Sequence, residues 1–364
     1  MKRNLFLISA TALLAACSSA PNKYTISGTV AQAAEGDSII LTDNFDKTIA
    51  AVPVIDGKFA IEGSIDTCCV GTISLHAPNA EPQNMRIIIE PGNITADFVS
   101  AEEIKLAGST TNDALQELQT RSNDAMIQCE KLFAIAKADS TTEEQAQAID
   151  AQIDSIYQNY IDLRKETAKK NITNPLGIYV LNRVVYDVKA DELDSLLKLV
   201  PAQFMSDPVA QRLSKHLEAM KAVAVGNHFV DFALATPAGE TAKLSDYAGK
   251  GKVVIVDFWA SWCGPCRRFA PTLVSIYNDY KDKGLEIVGV SLDSDSAAWV
   301  GAIDKLGLTW PHMSDLKGWQ CSAAADYAVR SIPSTFIISG DGTILANNPD
   351  EESIKELIEK AINE

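Results

Sequence analysis

The spacing of hydrophobic positions changes along the chain and divides it into three stretches. Over residues 24–109, short runs of alternating apolar and polar residues are separated by turn signals such as Asp56-Gly57, as expected of β-strands with one buried face. Over residues 110–223 the apolar positions recur at helical spacing. Over residues 224–364, apolar runs typical of buried strands alternate with helical segments. The pattern predicts a small antiparallel β-sandwich, a helical connector and a C-terminal α/β domain.

Two kinds of signal define the helical connector. Asn174-Pro175 and Asp207-Pro208 each combine a capping side chain with a proline, which is favoured in the first turn of a helix. Two apolar stripes precede them, formed by Leu115, Leu118, Met126, Cys129, Leu132 and Ala136 and by Ile149, Ile153, Ile156, Tyr160 and Leu163. We therefore expect about five helices between residues 110 and 223.

The most informative stretch is VVIVDFWASWCGPCRRFAP, residues 253–271. An apolar run leads into Cys263-Gly264-Pro265-Cys266, and the segment that follows has helical spacing. A cysteine at the start of a helix lies near unpaired N–H groups and the positive end of the helix dipole, which stabilise a thiolate. Cys266 follows one turn later, close enough to form a disulfide with Cys263 and to release a mixed disulfide. The stretch predicts thiol-disulfide chemistry.

Other uses of a C-x-x-C pair fit the sequence less well. A zinc site needs a second ligand pair, and Cys68, Cys69, Cys129 and Cys321 offer no second C-x-x-C. Attachment of a c-type haem needs His directly after the second cysteine, where this chain has Arg267. A purely structural disulfide stays open, although a short loop between a buried strand and a helix favours a reactive one. We predict no metal and no cofactor.

In this strand, turn and helix the chain resembles the thioredoxin superfamily, and closely the extracytoplasmic, membrane-tethered reductases of the TlpA and ResA group. The resemblance implies a thioredoxin-like domain over 224–364, with a mixed central sheet flanked by helices. It also implies that Asp257 is the buried carboxylate that helps to move the proton of Cys266. Ile332-Pro333 matches the family's cis-proline segment, whose backbone faces the cysteine pair and docks the substrate chain.

The same resemblance implies a direction for the reaction. Gly264-Pro265 is the dipeptide of reducing thioredoxins, which implies a protein-disulfide reductase recharged by a membrane electron-donor thiol protein. Gly264 and Pro265 are expected to contribute to substrate binding, and Trp259 and Trp262 to form an apolar rim. One position departs from the group, since Phe269 stands where several members carry a glutamate. This departure argues against their specialisation in cytochrome maturation.

The amino-terminal residues have the order of a secretory signal. A basic start precedes an apolar run over residues 5–14 and the tetrapeptide Leu14-Ala15-Ala16-Cys17. The tetrapeptide resembles a bacterial lipobox, which implies cleavage before Cys17 and lipidation of this cysteine. The alternatives are a plain secretory peptide or a short membrane anchor, although the apolar run is too short to span a bilayer. We expect a signal peptide over 1–17 and a tether over 18–23.

Charge and resemblance together narrow the location and the partners. The chain has 32 basic and 48 acidic residues, a net charge of −16, which argues against nucleic acid and against electrostatic attachment to anionic lipid. Residues 24–109 resemble the poorly characterised β domain that precedes thioredoxin modules in a class of envelope lipoproteins. We expect a lipid-anchored protein that faces the periplasm and acts on disulfide-containing envelope proteins. In such lipoproteins Ser18, rather than Asp, after the cysteine favours the outer over the inner membrane.

Four side chains outside the motif have competing interpretations. Successive side chains of a strand face opposite ways, so independent thiols or a bridge to elsewhere are favoured over a disulfide between Cys68 and Cys69. Cys321 could be a third redox thiol, but a buried core residue is the favoured interpretation. His312 is interpreted as a spectator near the cleft.

The predicted function is thiol-disulfide exchange, with a part in cell redox homeostasis and antioxidant activity, and two rival functions stay open. A thiol peroxidase shares this fold, but peroxiredoxins place Pro seven residues and Thr or Ser three residues before the reactive cysteine, where this chain has Val256 and Ala260. An envelope binding protein with an accessory redox module is the other rival. Deleting residues 24–222 would distinguish a pure enzyme from such a binding protein, because the enzyme should keep its activity on a model substrate.

Overall fold

A computed structural model of the protein describes residues 22–78, 80–138 and 142–363. These residues divide into two compact units, of which the first is the described chain up to Val184 together with Leu199–Met205. The second unit comprises Val185–Lys198 and the described chain from Ser206 onward. The predicted signal peptide, its lipidation site Cys17 and most of the predicted tether lie outside the described residues. Within the described ranges, no helix is long and apolar enough to cross a membrane.

Two four-stranded sheets form the β part of the first unit, with the strand orders β4-β1-β7-β8 and β3-β2-β5-β6. The strands are β1 (Lys23–Thr29), β2 (Ser38–Asp43), β3 (Thr48–Pro53), β4 (Lys58–Ser64), β5 (Cys69–His76), β6 (Gln83–Ile89), β7 (Gly92–Phe98) and β8 (Ile104–Ala107). The predicted antiparallel sheets are confirmed, with one difference. β1 and β7 pair in parallel, with Ile26 opposite Ile94, because the alternation of one strand does not specify the direction of its neighbour.

In the described part of the first unit, the α-helices are α1 (Thr110–Ala136), α2 (Glu143–Lys170) and α3 (Pro175–Val184). Ser109 caps α1 by accepting a hydrogen bond from the Asn112 N–H group, and Thr142 forms a capping box with Gln145 at the start of α2. α3 begins at Pro175, as its sequence predicts. α2 packs against both α1 and α3.

A mixed five-stranded sheet with the order β13-β12-β11-β14-β15 forms the centre of the second unit. The strands of this unit are β9 (Ala233–Ala235) and β10 (Thr241–Lys243), which form a hairpin, and β11 (Val253–Trp259), β12 (Leu285–Ser291), β13 (His312–Met313), β14 (Ser334–Ile338) and β15 (Ile344–Asn347). Its helices are α4 (Ala190–Leu197), α5 (Pro208–Ala222), α6 (Gly264–Tyr280), α7 (Ser296–Leu306), α8 (Ser322–Asp326) and α9 (Glu351–Asn363). β11, β12 and β13 are parallel, whereas β14 runs antiparallel to β11. The predicted mixed sheet flanked by helices is confirmed.

The central strand β11 determines where the cysteine motif lies. All of its residues are buried, because β12 and β14 pair with it on either side and the helices cover the faces of the sheet. Side chains and loops that follow parallel strands meet at the carboxyl edge of such a sheet. The motif follows β11 directly, and the loop after β12 therefore lies beside it.

Candidate active site at the start of helix α6

Cys263 and Cys266 form a disulfide across the first turn of α6, with their Cα atoms 5.3 Å apart. Cys263 caps the helix, and its Sγ accepts a hydrogen bond from the Cys266 N–H group at 3.1 Å. Gly264 and Pro265 occupy the first two helical positions and are exposed. Proline is tolerated there because an N–H group in this turn has no intrahelical acceptor. After reduction, the same N–H group and the helix dipole would stabilise negative charge on the Cys263 sulfur.

The segment at Ile332-Pro333 faces this sulfur. The peptide bond between the two residues is cis, and the Cys263 Sγ lies 3.6 Å from the Ile332 carbonyl oxygen. β14 begins directly after Pro333 and pairs with β11, so the sheet holds the two loops together. The structure thus brings together residues that lie 69 positions apart in the sequence.

Asp257 lies on β11 and is 5% exposed. Its Oδ1 atom has no hydrogen-bond partner among the described residues. Burial disfavours the charged carboxylate and raises the pKa of Asp257 to about 7. A carboxyl group with this pKa can accept or release a proton near neutral pH, which is the behaviour that a proton relay requires.

His312 lies two strands from Asp257, in register with Gly289 on β12, and Gly289 is in register with Asp257. A Cβ atom at Gly289 would lie 2.3 Å from His312 Nδ1, so the glycine leaves room for the imidazole. Burial lowers the pKa of His312 to about 4. The ring is therefore neutral at pH 7.

Two residues that sequence reasoning missed hold the loop before Cys263. The Ser261 N–H group and hydroxyl donate hydrogen bonds to the two oxygens of the Asp293 carboxylate, at 2.9 and 2.6 Å. Asp293 is 1% exposed and also accepts a hydrogen bond from the Ser291 hydroxyl at 2.7 Å. Asp293 could have been predicted from its position in the sequence, because it follows the parallel strand β12 and therefore lies at the edge of the sheet where the motif lies.

The apolar rim differs from the prediction in one residue. Trp262 is 55% exposed, as expected, but Trp259 is the last residue of buried strand β11 and is only 2% exposed. Trp319 lies beside Trp262 instead, with 6.3 Å between the ring centroids, and is 48% exposed. The Asp315 carboxylate positions this segment by accepting hydrogen bonds from the Lys317 and Ser322 N–H groups. The rim predicted at Trp259 and Trp262 is thus formed by Trp262 and Trp319.

The other cysteines described by the structure are not arranged as a second redox pair. Cys68 and Cys69 are not bonded to each other. Cys321 is fully buried just before α8, and burial raises the pKa of its thiol to about 11. A thiol with this pKa is protonated at pH 7, which is consistent with the interpretation of Cys321 as a core residue.

Disulfide exchange is the chemistry that this edge of the sheet can perform, and fold and site together define a thioredoxin-like thiol-disulfide oxidoreductase. Residues 225–347 match the AhpC/TSA family, and residues 24–115 match a domain of unknown function, DUF4369. The thiol-disulfide oxidoreductase ResA of Geobacillus kaustophilus is 37% identical over 123 residues, which cover 34% of this chain and 68% of that protein. The thioredoxin-like protein YneN of Bacillus subtilis is 40% identical over 122 residues, which cover 33% of this chain and 68% of YneN.

Two solved structures are also similar to part of this chain. The thioredoxin domain of a thiol-disulfide oxidoreductase from Bacteroides vulgatus is 30% identical, with a TM-score of 0.36 over 38% of this chain and 99% of that one. A thiol-disulfide oxidoreductase from Bacteroides fragilis is 30% identical, with a TM-score of 0.35 over 37% of this chain and 98% of that one. On the sequence similarity to the Geobacillus protein, the chain belongs to the family of ResA-type thiol-disulfide oxidoreductases. The predicted family, and the N-terminal domain of unknown function that precedes the redox module, are confirmed.

Proposed function

We propose that this oxidoreductase is a membrane-anchored reductase of disulfides in proteins of the bacterial cell envelope. The observation that carries the proposal is the position of the Cys263 sulfur, which lies at the N-terminus of α6 and 3.6 Å from the Ile332 carbonyl oxygen. A sulfur in this place is stabilised as a thiolate and lies next to a backbone that can hold a substrate chain.

In the first step, the thiolate of reduced Cys263 attacks one sulfur of a substrate disulfide. A bond forms between Cys263 and that sulfur, the substrate S–S bond breaks, and the other substrate sulfur leaves as a thiolate that takes up a proton. Attack requires the three sulfurs to be nearly in line. The backbone of Ile332 and the ring of Pro333 orient the substrate for this geometry by holding its chain as a strand is held.

In the second step, Cys266 loses its proton and attacks the Cys263 sulfur of the mixed disulfide. The Cys263–Cys266 disulfide forms, the mixed disulfide breaks, and the second substrate sulfur leaves as a thiol. Asp257 accepts or relays the proton of Cys266, for which its pKa of about 7 is suitable. Two electrons have then passed from the dithiol to the substrate, together with the proton of Cys266 and one proton from the solvent.

Trp262, Gly264 and Pro265 form the exposed surface around the dithiol that the substrate contacts, and Trp319 extends it. Because each cycle leaves the protein oxidised, a membrane thiol protein must return two electrons to it. Lipidation of Cys17 would hold the module at the periplasmic face of the outer membrane, close to envelope proteins that carry disulfides.

A thiol peroxidase is less well supported by the site. Such an enzyme stabilises the peroxide with a hydroxyl and a proline near the reactive cysteine, and the corresponding residues, Val256 and Ala260, are apolar and fully buried. The neighbouring hydroxyl of Ser261 is bonded to Asp293. A peroxide at Cys263 would therefore lack these partners.

The test compares two oxidants of the reduced chain that begins at Cys17. Oxidation by a protein disulfide and by hydrogen peroxide is followed by tryptophan fluorescence, because Trp262 is adjacent to the dithiol. We expect fast disulfide exchange that is lost in Cys263→Ser and retained in the matched control Cys129→Ser, together with slow oxidation by peroxide. Fast oxidation by peroxide with sluggish disulfide exchange would overturn the proposal.

The location is tested separately, in a bacterial host that processes lipoproteins. We expect labelled palmitate to be incorporated into the full chain and the protein to fractionate with the outer membrane. Cys17→Ser should abolish the label. Labelling that persists in this variant would contradict the anchor.

A further inference from the structure

The first unit contains a cavity of about 1130 Å³ that the redox chemistry does not use. Its walls come from α1, α2 and α3, from the start of β6 and from the loop before β8. Four consecutive residues of β6, from Gln83 to Arg86, line it. Because successive side chains of a strand point to opposite faces, a cavity lined by all four lies along the edge of the strand.

β6 is the last strand of its sheet, and a side chain closes part of its edge. The Asn112 Oδ1 atom accepts a hydrogen bond from the Ile88 N–H group, and the Asn112 Nδ2 atom donates one to the Ile88 carbonyl oxygen, both at 2.9 Å. This amide takes the place of a neighbouring strand. Alternate residues of an antiparallel strand direct both backbone groups to the same side. Since Ile88 directs its groups away from β5, Asn84 and Arg86 do so too.

The part of the edge at Asn84 and Arg86 is open. Among the described residues, no hydrogen-bond partner is found for the outward backbone groups of these two residues. Pro82 limits the opening on one side because it has no N–H group, and the Asn112 amide limits it on the other. The length suits the pairing of a short extended segment.

Side chains of helix α1 close the sheet edges next to the opening. One turn after Asn112, the Gln116 Oε1 atom accepts a hydrogen bond from the Leu106 N–H group of β8 at 2.7 Å, so α1 closes an edge of each sheet. Farther along α1, the Gln119 side chain instead bonds that of Asn123 at 3.1 Å. Both line the cavity. Gln116 lines the cavity too, so the side chains of α1 that close a sheet edge extend into the cavity lining, and those beyond Gln116 bond each other.

The wall formed by α2 and α3 carries two guanidinium groups stacked on tyrosine rings. The Arg164 Cζ atom lies 4.0 Å from the centroid of the Tyr160 ring, and the Arg183 Cζ atom 4.8 Å from that of Tyr179. Arg183 is exposed. Stacking covers one face of its guanidinium and keeps the N–H groups in the plane of the group, where a carboxylate can accept two hydrogen bonds. The loop before β8 and helix α1 contribute the acidic residues Glu102, Glu103 and Asp124 to the lining. A carboxylate is repelled by these residues and attracted to the α2–α3 wall and to Arg86 of β6.

We propose that this cavity binds an extended peptide segment, which adds as a strand to β6 at Asn84 and Arg86 and directs a carboxylate side chain to Arg183. Backbone pairing gives affinity that depends little on sequence, and Arg183 selects an acidic residue. The first unit is then a peptide-binding module, whether or not the bound protein is also the substrate of the dithiol.

The test measures binding of fluorescein-labelled peptides to the mature chain by fluorescence anisotropy. The first probe is a nonapeptide of alternating Thr and Val with Glu at its centre, and the second carries Lys in place of Glu. Two further probes carry N-methyl groups on alternate residues, in one register or the other. An added strand uses the N–H groups of alternate residues only, so methylation in one register should abolish binding and methylation in the other should preserve it. The Lys probe should bind about tenfold more weakly.

Two variants locate the site. Asn84→Pro removes the outward N–H group without removing a hydrogen bond to β5, and it should abolish binding, whereas Asn84→Ala should retain it. Arg183→Gln should reduce the difference between the Glu and Lys probes and leave disulfide exchange unchanged. If Asn84→Pro does not fold, binding of the two methylated probes to the unmodified protein tests whether the peptide adds as a strand. Equal binding of both methylated probes, or absence of peptide binding where an acidic oligosaccharide binds, would overturn the proposal.

Discussion

A buried polar side chain of the first unit, Asn112, and one of the second unit, Asp257, differ in their hydrogen bonds. Asn112 in the first unit is fully buried, and its amide bonds both backbone groups of Ile88. Asp257 in the second unit is 5% exposed, and one of its carboxyl oxygens has no partner among the described residues. Burial therefore raises the pKa of Asp257 to about 7.

The difference indicates what each residue is for. A buried polar group with all its partners stabilises one arrangement of the chain, whereas an unsatisfied one reduces stability and has to be explained by another role. For Asp257, the proton transfer from Cys266 proposed above is such a role, because thiol exchange needs a group that takes up a proton near neutral pH. We therefore expect removal of Asn112 to weaken the fold, and removal of Asp257 to weaken the reaction while relieving the fold.

The largest effect is expected for Cys266→Ser. Cys263 should still attack a substrate disulfide, but the mixed disulfide cannot be resolved, so turnover should fall by about a thousandfold or more. Intact-mass measurement after mixing with a protein disulfide should show a stable covalent adduct. In this background, adding Asp257→Asn should have no further effect on attack, because Cys266 no longer supplies a proton. Repeated turnover by Cys266→Ser would contradict the proposed resolving role.

The next effect is a pH-dependent difference in stability between the oxidised wild type and Asp257→Asn. Between about pH 4 and pH 7 the folded wild type retains a proton on Asp257 that the unfolded chain has lost, so the contribution of this group to stability decreases as the pH rises. The decrease over the whole window is on the order of 4 kcal/mol. Relative to the wild type, Asp257→Asn should therefore be more stable at pH 8 than at pH 4.

Urea unfolding at pH 4, 6 and 8 measures this difference. The comparison with the variant is needed because burial lowers the pKa of His216 and of His312 to about 4. Those two groups contribute stability that is lost as the pH falls from about 6.5 towards 4, which is the opposite trend. Their contributions cancel between the wild type and the variant. If the difference in unfolding free energy between the wild type and Asp257→Asn stays constant with pH, burial does not raise the pKa of Asp257.

Sequence alone predicted one of these two residues and missed the other, for a physical reason. Asp257 interrupts a run of apolar residues next to a recognisable motif, so local pattern and resemblance both point to it. Asn112 pairs with Ile88, which lies 24 positions away, and nothing near Asn112 in the sequence marks that partner. The same limit applies to Trp319, to Asp293 and to the parallel pairing of β1 with β7. Local periodicity predicts which faces are buried, but contacts distant in sequence depend on register and topology.

A smaller effect is expected for Asn112→Leu. Leucine has a similar volume but leaves the Ile88 N–H and C=O groups buried without partners, which should lower the free energy of unfolding by about 1–3 kcal/mol. Gln119→Leu is the matched control, because Gln119 lies on the same helix and is exposed; it should change stability by less than about 0.5 kcal/mol. If the two substitutions lower the free energy of unfolding equally, the hydrogen bonds of Asn112 to Ile88 do not stabilise the fold more than an exposed side chain does.

The smallest effect is expected for Trp319→Ala. This substitution tests whether the exposed tryptophan rings beside the dithiol contact a protein substrate. Trp319 and Trp262 present two half-exposed rings beside a dithiol whose own residues are only 4% and 5% exposed. A protein substrate can cover both rings as it docks, whereas a small disulfide can react without touching Trp319. We therefore expect kcat/KM to fall about three- to tenfold for a protein disulfide. For hydroxyethyl disulfide it should stay unchanged.

Tyr186→Ala, which removes another exposed ring of the same unit, is the control and should leave both substrates unaffected. An equal loss for both substrates in Trp319→Ala would mean that Trp319 supports the loop rather than the substrate. A loss confined to the protein disulfide would place Trp319 with Asp257, among the residues whose unfavourable surroundings in the free protein are explained by the reaction.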